Sequence, residues 1–181
     1  MKAMNTFIQI LTYFRIFSGP IIFILILIAQ NYGMALFLLV LASASDYWDG
    51  YLARRYSLTS IMGAVLDPIA DKILITFTVI ALSVDLGSTY IAFLGCIMLA
   101  REYWVSALRD LNAREGNINA TKVTLLAKTK TAIQLGTFCF YLLGLYLNSA
   151  FTIFLANFFL FLALIITLQT GLSYTIATFK K

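Results

Sequence analysis

Read from its N-terminus, the chain alternates long apolar runs with short polar breaks. Six runs stand out: about Phe7 to Gln30, Met34 to Arg54, Ser60 to Val84, Ser88 to Leu111, Lys122 to Leu147 and Ala150 to Thr178. Asn31-Tyr32-Gly33, Asp85-Leu86-Gly87 and Asn148-Ser149 make three of the breaks, and a polar stretch with Arg114-Glu115-Gly116-Asn117 makes another. A helix crossing the hydrocarbon needs about 20 mostly apolar residues, and each run is of that order. Membrane barrel strands would alternate apolar and polar residues over about ten positions. These runs are continuously apolar, so they predict helices. The expected fold is an all-α integral membrane protein with six transmembrane helices and a single domain over residues 1–181. The first run lacks a short apolar segment followed by a small-residue cleavage site, and reads as a retained span.

Composition agrees with lipid as the solvent. Of 181 residues, 61% are hydrophobic and 12% charged, with mean hydropathy +0.91, whereas soluble domains carry roughly 25% charge. A soluble enzyme fold, a disordered chain and a secreted disulfide scaffold are excluded. The chain has 13 basic residues, and the turns at 31–33, 85–87 and 148–149 hold none of them. By the positive-inside rule the opposite side is cytoplasmic, with both termini there. Topology and attraction to anionic headgroups account for the positive charge without nucleic acid. There is no histidine, so acid–base or metal chemistry falls to Asp and Glu, whose oxygens suit hard cations. Cys96 and Cys139 each lie inside an apolar run and read as small buried hydrophobes.

Two pairs of acids break the apolar pattern. Asp46 and Asp49 close the second run, while Asp67 and Asp71 open the third. Spacings of three and four put each pair on one helix face, and the two runs are consecutive and antiparallel, so the pairs can face each other. Ionised carboxylates at that depth are costly without partners. They could be protonated, could pair with Arg54 and Lys72, or could hold metal ions. Two bases cannot neutralise four acids at close range, whereas two divalent cations balance them in charge. Gly50, Ala53 and Gly63 offer small faces for close approach, and Arg54 is a planar fork suited to phosphate. Pro68 is expected to kink the third helix beside Asp67.

The pattern Asp46-x-x-Asp49-Gly50-x-x-Ala53-Arg54, followed eight residues later by Gly63-x-x-x-Asp67-x-x-x-Asp71, resembles the signature of the CDP-alcohol phosphatidyltransferases. The resemblance implies two divalent cations, Mg²⁺ or Mn²⁺, held by Asp46, Asp49, Asp67 and Asp71, with Asp71 also the general base. It places Gly50, Ala53, Arg54, Gly63 and Thr12 at the CDP-lipid site, and implies a homodimer in the cell (cytoplasmic) membrane with its active site facing the cytoplasm. Downstream, Ala100-Arg101-Glu102 through Ser106-Ala107-Leu108-Arg109, and Ala127-Lys128-Thr129-Lys130-Thr131, resemble one branch of that family, as does the region of Thr12 and Arg15. Ala127 and Gln9 depart from the glycine and asparagine usual there. That branch joins CDP-diacylglycerol to glycerol 3-phosphate, giving phosphatidylglycerophosphate and CMP in phospholipid biosynthesis.

Arg101, Arg109, Lys128 and Lys130 are the cations available for the acceptor phosphate. Lys128 and Lys130, two apart, point to roughly opposite faces of a helix, which ranks Arg101, Arg109 and Lys128 ahead of Lys130. Arg101 could instead pair with Glu102 or Asp110. Within the family, inositol phosphate, serine or phosphatidylglycerol are the alternative acceptors. A cation transporter is the reading from another class; it predicts acids spread across the bilayer, whereas both pairs lie toward one face.

Overall fold

The computed structural model describes residues 2–56, 61–115 and 125–180. Side chains are described at all of these except 2–6, 8, 49–54, 56, 61, 62, 64, 65 and 125–129. The described residues form six helices: α1 (Lys2–Leu27), α2 (Tyr32–Tyr56), α3 (Ile61–Asp85), α4 (Thr89–Arg114), α5 (Leu125–Tyr146) and α6 (Ala150–Phe179). Each apolar run therefore becomes one helix, with ends within a few residues of those expected. Pro68 lies inside α3, and the helix continues through it.

Three tight turns share one construction. Gln30, Gly87 and Asn148 take positive φ of 47°, 55° and 50°, the left-handed conformation that ends helices. Each is followed by an Asn or Ser whose side-chain oxygen accepts a backbone N–H three residues on. Asn31 accepts from Met34 at 3.0 Å, Ser88 from Ile91 at 3.3 Å and Ser149 from Thr152 at 3.3 Å. One donor left over at each new helix start is thereby satisfied. The turns are short, so consecutive helices run antiparallel and these three turns share one side.

The helices close into a ring in the order α1, α2, α5, α6, α4, α3, with α3 also touching α5 across the middle. Among the described residues α2 and α3 do not pack directly against each other; α1 lies between them. The acids of the two helices therefore meet beside α1 and not across a direct α2–α3 contact. Ile22, Leu39, Leu74, Met98, Phe138 and Leu160 fill the interior. Gly95 lets α4 approach α3, since a Cβ there would sit 2.6 Å from Val79 Cγ2. Outward, Phe17, Phe37, Phe93, Phe151 and Phe154 are exposed, the apolar exterior of a membrane protein.

Gln9–Leu27, Thr89–Arg114 and Ala150–Phe179 are each long and apolar enough to cross a bilayer. The other three helices carry the acids and lysines in or beside their apolar stretches, and α2 has its apolar part limited to Tyr32–Trp48. Both cysteines are free, but Cys96 is exposed. The reason is the solvent: an apolar residue in a membrane protein faces lipid as readily as core.

Candidate active site

The polar interior lies at the end of the bundle opposite the three tight turns, where α2, α4 and α6 end and α1, α3 and α5 begin. Its centre is Arg15, which α1 carries within an otherwise apolar stretch and which is fully buried. Arg15 Nη1 donates to Asp46 Oδ1 at 2.5 Å and to Asp71 Oδ1 at 2.7 Å. One turn earlier on the same face of α1, Thr12 Oγ1 donates to Asp67 Oδ1 at 2.9 Å. The helix that separates α2 from α3 thus supplies the donors that tie their acids together. A guanidinium buried in an apolar bundle requires such partners. Lys72 donates to Ser106 Oγ, 2.7 Å away on α4.

Beside the acids opens a cavity of about 250 Å³, with Asp67, Asp71 and Lys72 on one wall and Arg101, Arg109 and Lys130 on the other. Glu102 accepts from Arg101 Nη1 at 3.3 Å and also from Lys130 Nζ. Glu102 alone cannot offset the three cations, so that wall keeps positive charge. Arg109 Nη2 donates to Tyr174 Oη at 3.2 Å, and its guanidinium carbon lies 5.3 Å from the centre of that ring. The α3 wall sets two carboxylates against the single ammonium of Lys72, and the other wall carries guanidinium and ammonium groups in excess of Glu102. Its basic groups suit phosphate oxygens.

Most of the expected site residues that are described converge here. Asp46, Asp67 and Asp71 gather around α1, and Arg101, Arg109 and Lys130 line the cavity. Lys130 is buried and shares Glu102 with Arg101. Helix α5 presents this position to the ring interior, and Lys128 lies outside the described side chains. Arg101 does pair with Glu102, as its alternative reading had it, yet it lines the cavity all the same. Thr12 is buried against Asp67. Gly63 lies in the first turn of α3 and is partly buried. Asp49, Gly50, Ala53 and Arg54 belong to the last turns of α2, but lie outside the described side chains.

The sequence pattern leaves out the roles of Arg15, Ser106 and Tyr174. For Arg15 a signal existed: an arginine inside an apolar run, three residues from Thr12 and so on the same helix face.

Among the described side chains no three acids meet closely enough to surround one ion. Asp46 and Asp71 nevertheless converge on one positively charged nitrogen, which stands where a cation between them would stand. The donors are all oxygens, as Mg²⁺ and Mn²⁺ prefer. The residues fit such an ion.

A model of the CDP-alcohol phosphatidyltransferase family matches residues 6–169, which reach into all six helices and include the charged residues of the cavity. The chain belongs to that family of membrane enzymes. Within it, the chain is similar to proteins named CDP-diacylglycerol–glycerol-3-phosphate 3-phosphatidyltransferase. The one from Rickettsia bellii is 36% identical over 180 residues, 96% of each chain. Those from Yersinia enterocolitica and Wigglesworthia glossinidia brevipalpis are 34% and 36% identical, covering 78% and 69% of this chain and 76% and 70% of theirs.

Proposed function

We infer that this protein transfers the phosphatidyl group of CDP-diacylglycerol to glycerol 3-phosphate, releasing CMP. The observation that carries this reading is the cavity with an acidic wall facing a basic one. Such a cavity suits a diphosphate-bearing lipid and an acceptor that brings its own phosphate. Arg101, Arg109 and Lys130 bind that phosphate, Arg offering paired donors and Lys a point charge. Asp71, on the opposite wall, takes the proton of the acceptor's free hydroxyl. The new bond joins the acceptor oxygen to the phosphatidyl phosphorus. The bond from that phosphorus to CMP breaks, and CMP leaves with its electron pair. Asp46, Asp49, Asp67 and Asp71 are the residues that would hold two Mg²⁺ or Mn²⁺ ions. When bound, such ions screen phosphate charge and polarise phosphoryl oxygens.

In this reading all six helices span the membrane, with both termini and the cavity at the cytoplasmic face of the cell membrane. The distribution of Lys and Arg supports that orientation. The lipid substrate then reaches the cavity from the bilayer and the soluble one from the cytoplasm. Gly50, Ala53, Arg54 and Gly63 form the CDP-lipid site, and Thr12 acts there through Asp67. We also propose a homodimer, which rests on the family resemblance.

Purified protein given CDP-diacylglycerol with Mg²⁺ or Mn²⁺ should release CMP with glycerol 3-phosphate, and not with serine, inositol phosphate or phosphatidylglycerol. Turnover with serine in place of glycerol 3-phosphate would reassign the acceptor. Arg109→Ala should raise the KM for glycerol 3-phosphate by roughly tenfold or more, the loss expected for a hydrogen bond to a charged group. Its KM for CDP-diacylglycerol should move far less. An unchanged acceptor KM would take Arg109 out of the site.

A further inference from the structure

Helix α6 carries no charged residue between Ala150 and Phe179, and by composition it reads as a plain span. Its inner face in the cytoplasmic half is nonetheless built around the two cavity arginines. Thr170 Oγ1 accepts from Arg101 Nη2 at 2.6 Å. The same oxygen lies 2.9 Å from Ile166 O and 3.0 Å from Thr167 O, either of which can take its proton. The hydroxyl is thus held by its own helix and presents a lone pair to the guanidinium.

The next residue, Gly171, has no side chain where Arg101 passes. A Cβ there would come within 2.9 Å of Arg101 Nε and 3.0 Å of its Cγ. Only glycine lets the stem of this arginine lie directly against α6. One turn on from Thr170, Tyr174 lines the cavity and accepts from Arg109.

This arrangement restricts Arg101 without adding a second acidic partner to Glu102. The side chain is 8% exposed, so its position is set by protein. Nε has no hydrogen-bond partner among the described residues. Its acidic neighbour Glu102 is 3.3 Å away and shared with Lys130. The neutral hydroxyl of Thr170 makes the shortest bond to Arg101, and it fixes direction while leaving the charge available to an anion. A carboxylate at that position would fix the side chain equally well and cancel the charge.

We propose that Thr170 and Gly171 are positioning residues for the acceptor phosphate: they aim the Arg101 guanidinium into the cavity through a neutral contact that adds no negative charge to that of Glu102. The inference rests on the cavity being the glycerol 3-phosphate site. Thr170→Val keeps the shape and removes the acceptor oxygen, and Thr170→Ser keeps the oxygen. Gly171→Ala inserts the methyl group that Arg101 must avoid.

The KM values for both substrates, kcat and the thermal midpoint in detergent are measured for these variants and for Arg101→Gln. Thr170→Val and Gly171→Ala should each raise the KM for glycerol 3-phosphate roughly tenfold. The KM for CDP-diacylglycerol should stay within about twofold, and Thr170→Ser should restore the acceptor KM, the pattern of a lost binding contact. If Arg101→Gln raises the acceptor KM while Thr170→Val and Gly171→Ala leave it unchanged, the positioning role is wrong and the cavity assignment stands. If Arg101→Gln itself leaves that KM unchanged, the cavity assignment falls and takes this role with it. Equal rises in both KM values with a lowered midpoint would show general damage to the fold, and would also overturn the proposal.

Discussion

Asp71→Asn should lower the rate of CMP release by about a hundredfold or more, the range expected when a positioned general base is lost. Asparagine matches aspartate in shape, so the side chain still fits between Arg15 and the cavity. Its amide cannot take a proton from the acceptor hydroxyl. The other acids of the cluster are untouched, and binding of CDP-diacylglycerol should persist. Single-turnover CMP release gives the chemical step, and equilibrium binding of the CDP-lipid gives the other half of the test. Turnover within tenfold of the parent would place the base elsewhere. A matching loss of CDP-lipid binding would instead make Asp71 chiefly a holder of cations.

What the sequence made legible follows from what each signal encodes. Continuous apolar runs fix helices because lipid leaves the backbone no other partners. The acid spacing was legible because three- and four-residue offsets fix a helix face whatever surrounds it. The neighbours of a face are a different matter. Nothing in the α2 and α3 sequences says that α1 lies between them, so the pattern offers Arg54, Lys72 or cations as partners of the acids and does not show Arg15. The offset between Lys128 and Lys130 separates the two lysines by face, and an offset cannot say which face turns inward. Cys96 was misjudged because apolar character has no inside or outside in a bilayer. Thr170, Gly171 and Tyr174 left the least trace. They carry no charge, and their part in the site exists only through Arg101 and Arg109, some seventy residues away in sequence.

Removing Arg15 should destabilise the protein in a way that divalent cations repair. In Arg15→Ala, Asp46 and Asp71 lose the nitrogen they share, and two carboxylates that converged on a positive charge now face each other without it. Breaking a buried ion pair by deleting one partner costs about 3–5 kcal/mol. Here the arginine is fully buried while the carboxylate side chains are 48% and 38% exposed. Water therefore screens part of the loss, and about 2–3 kcal/mol is expected. The thermal midpoint of the metal-free protein in detergent should fall by several degrees. Adding Mg²⁺ or Mn²⁺ should then raise the midpoint of the variant more than that of the parent, because the cation meets an uncompensated pair of acids in one and a guanidinium already seated between them in the other. Ligand binding to the folded state stabilises it in proportion to affinity, so the size of the metal-induced shift reports which protein binds the ion better. A midpoint that does not move on removing Arg15 would mean that the acids do not depend on it. A smaller metal-induced shift in the variant than in the parent would mean that Arg15 assists the cation, and that the two do not compete for the same carboxylates.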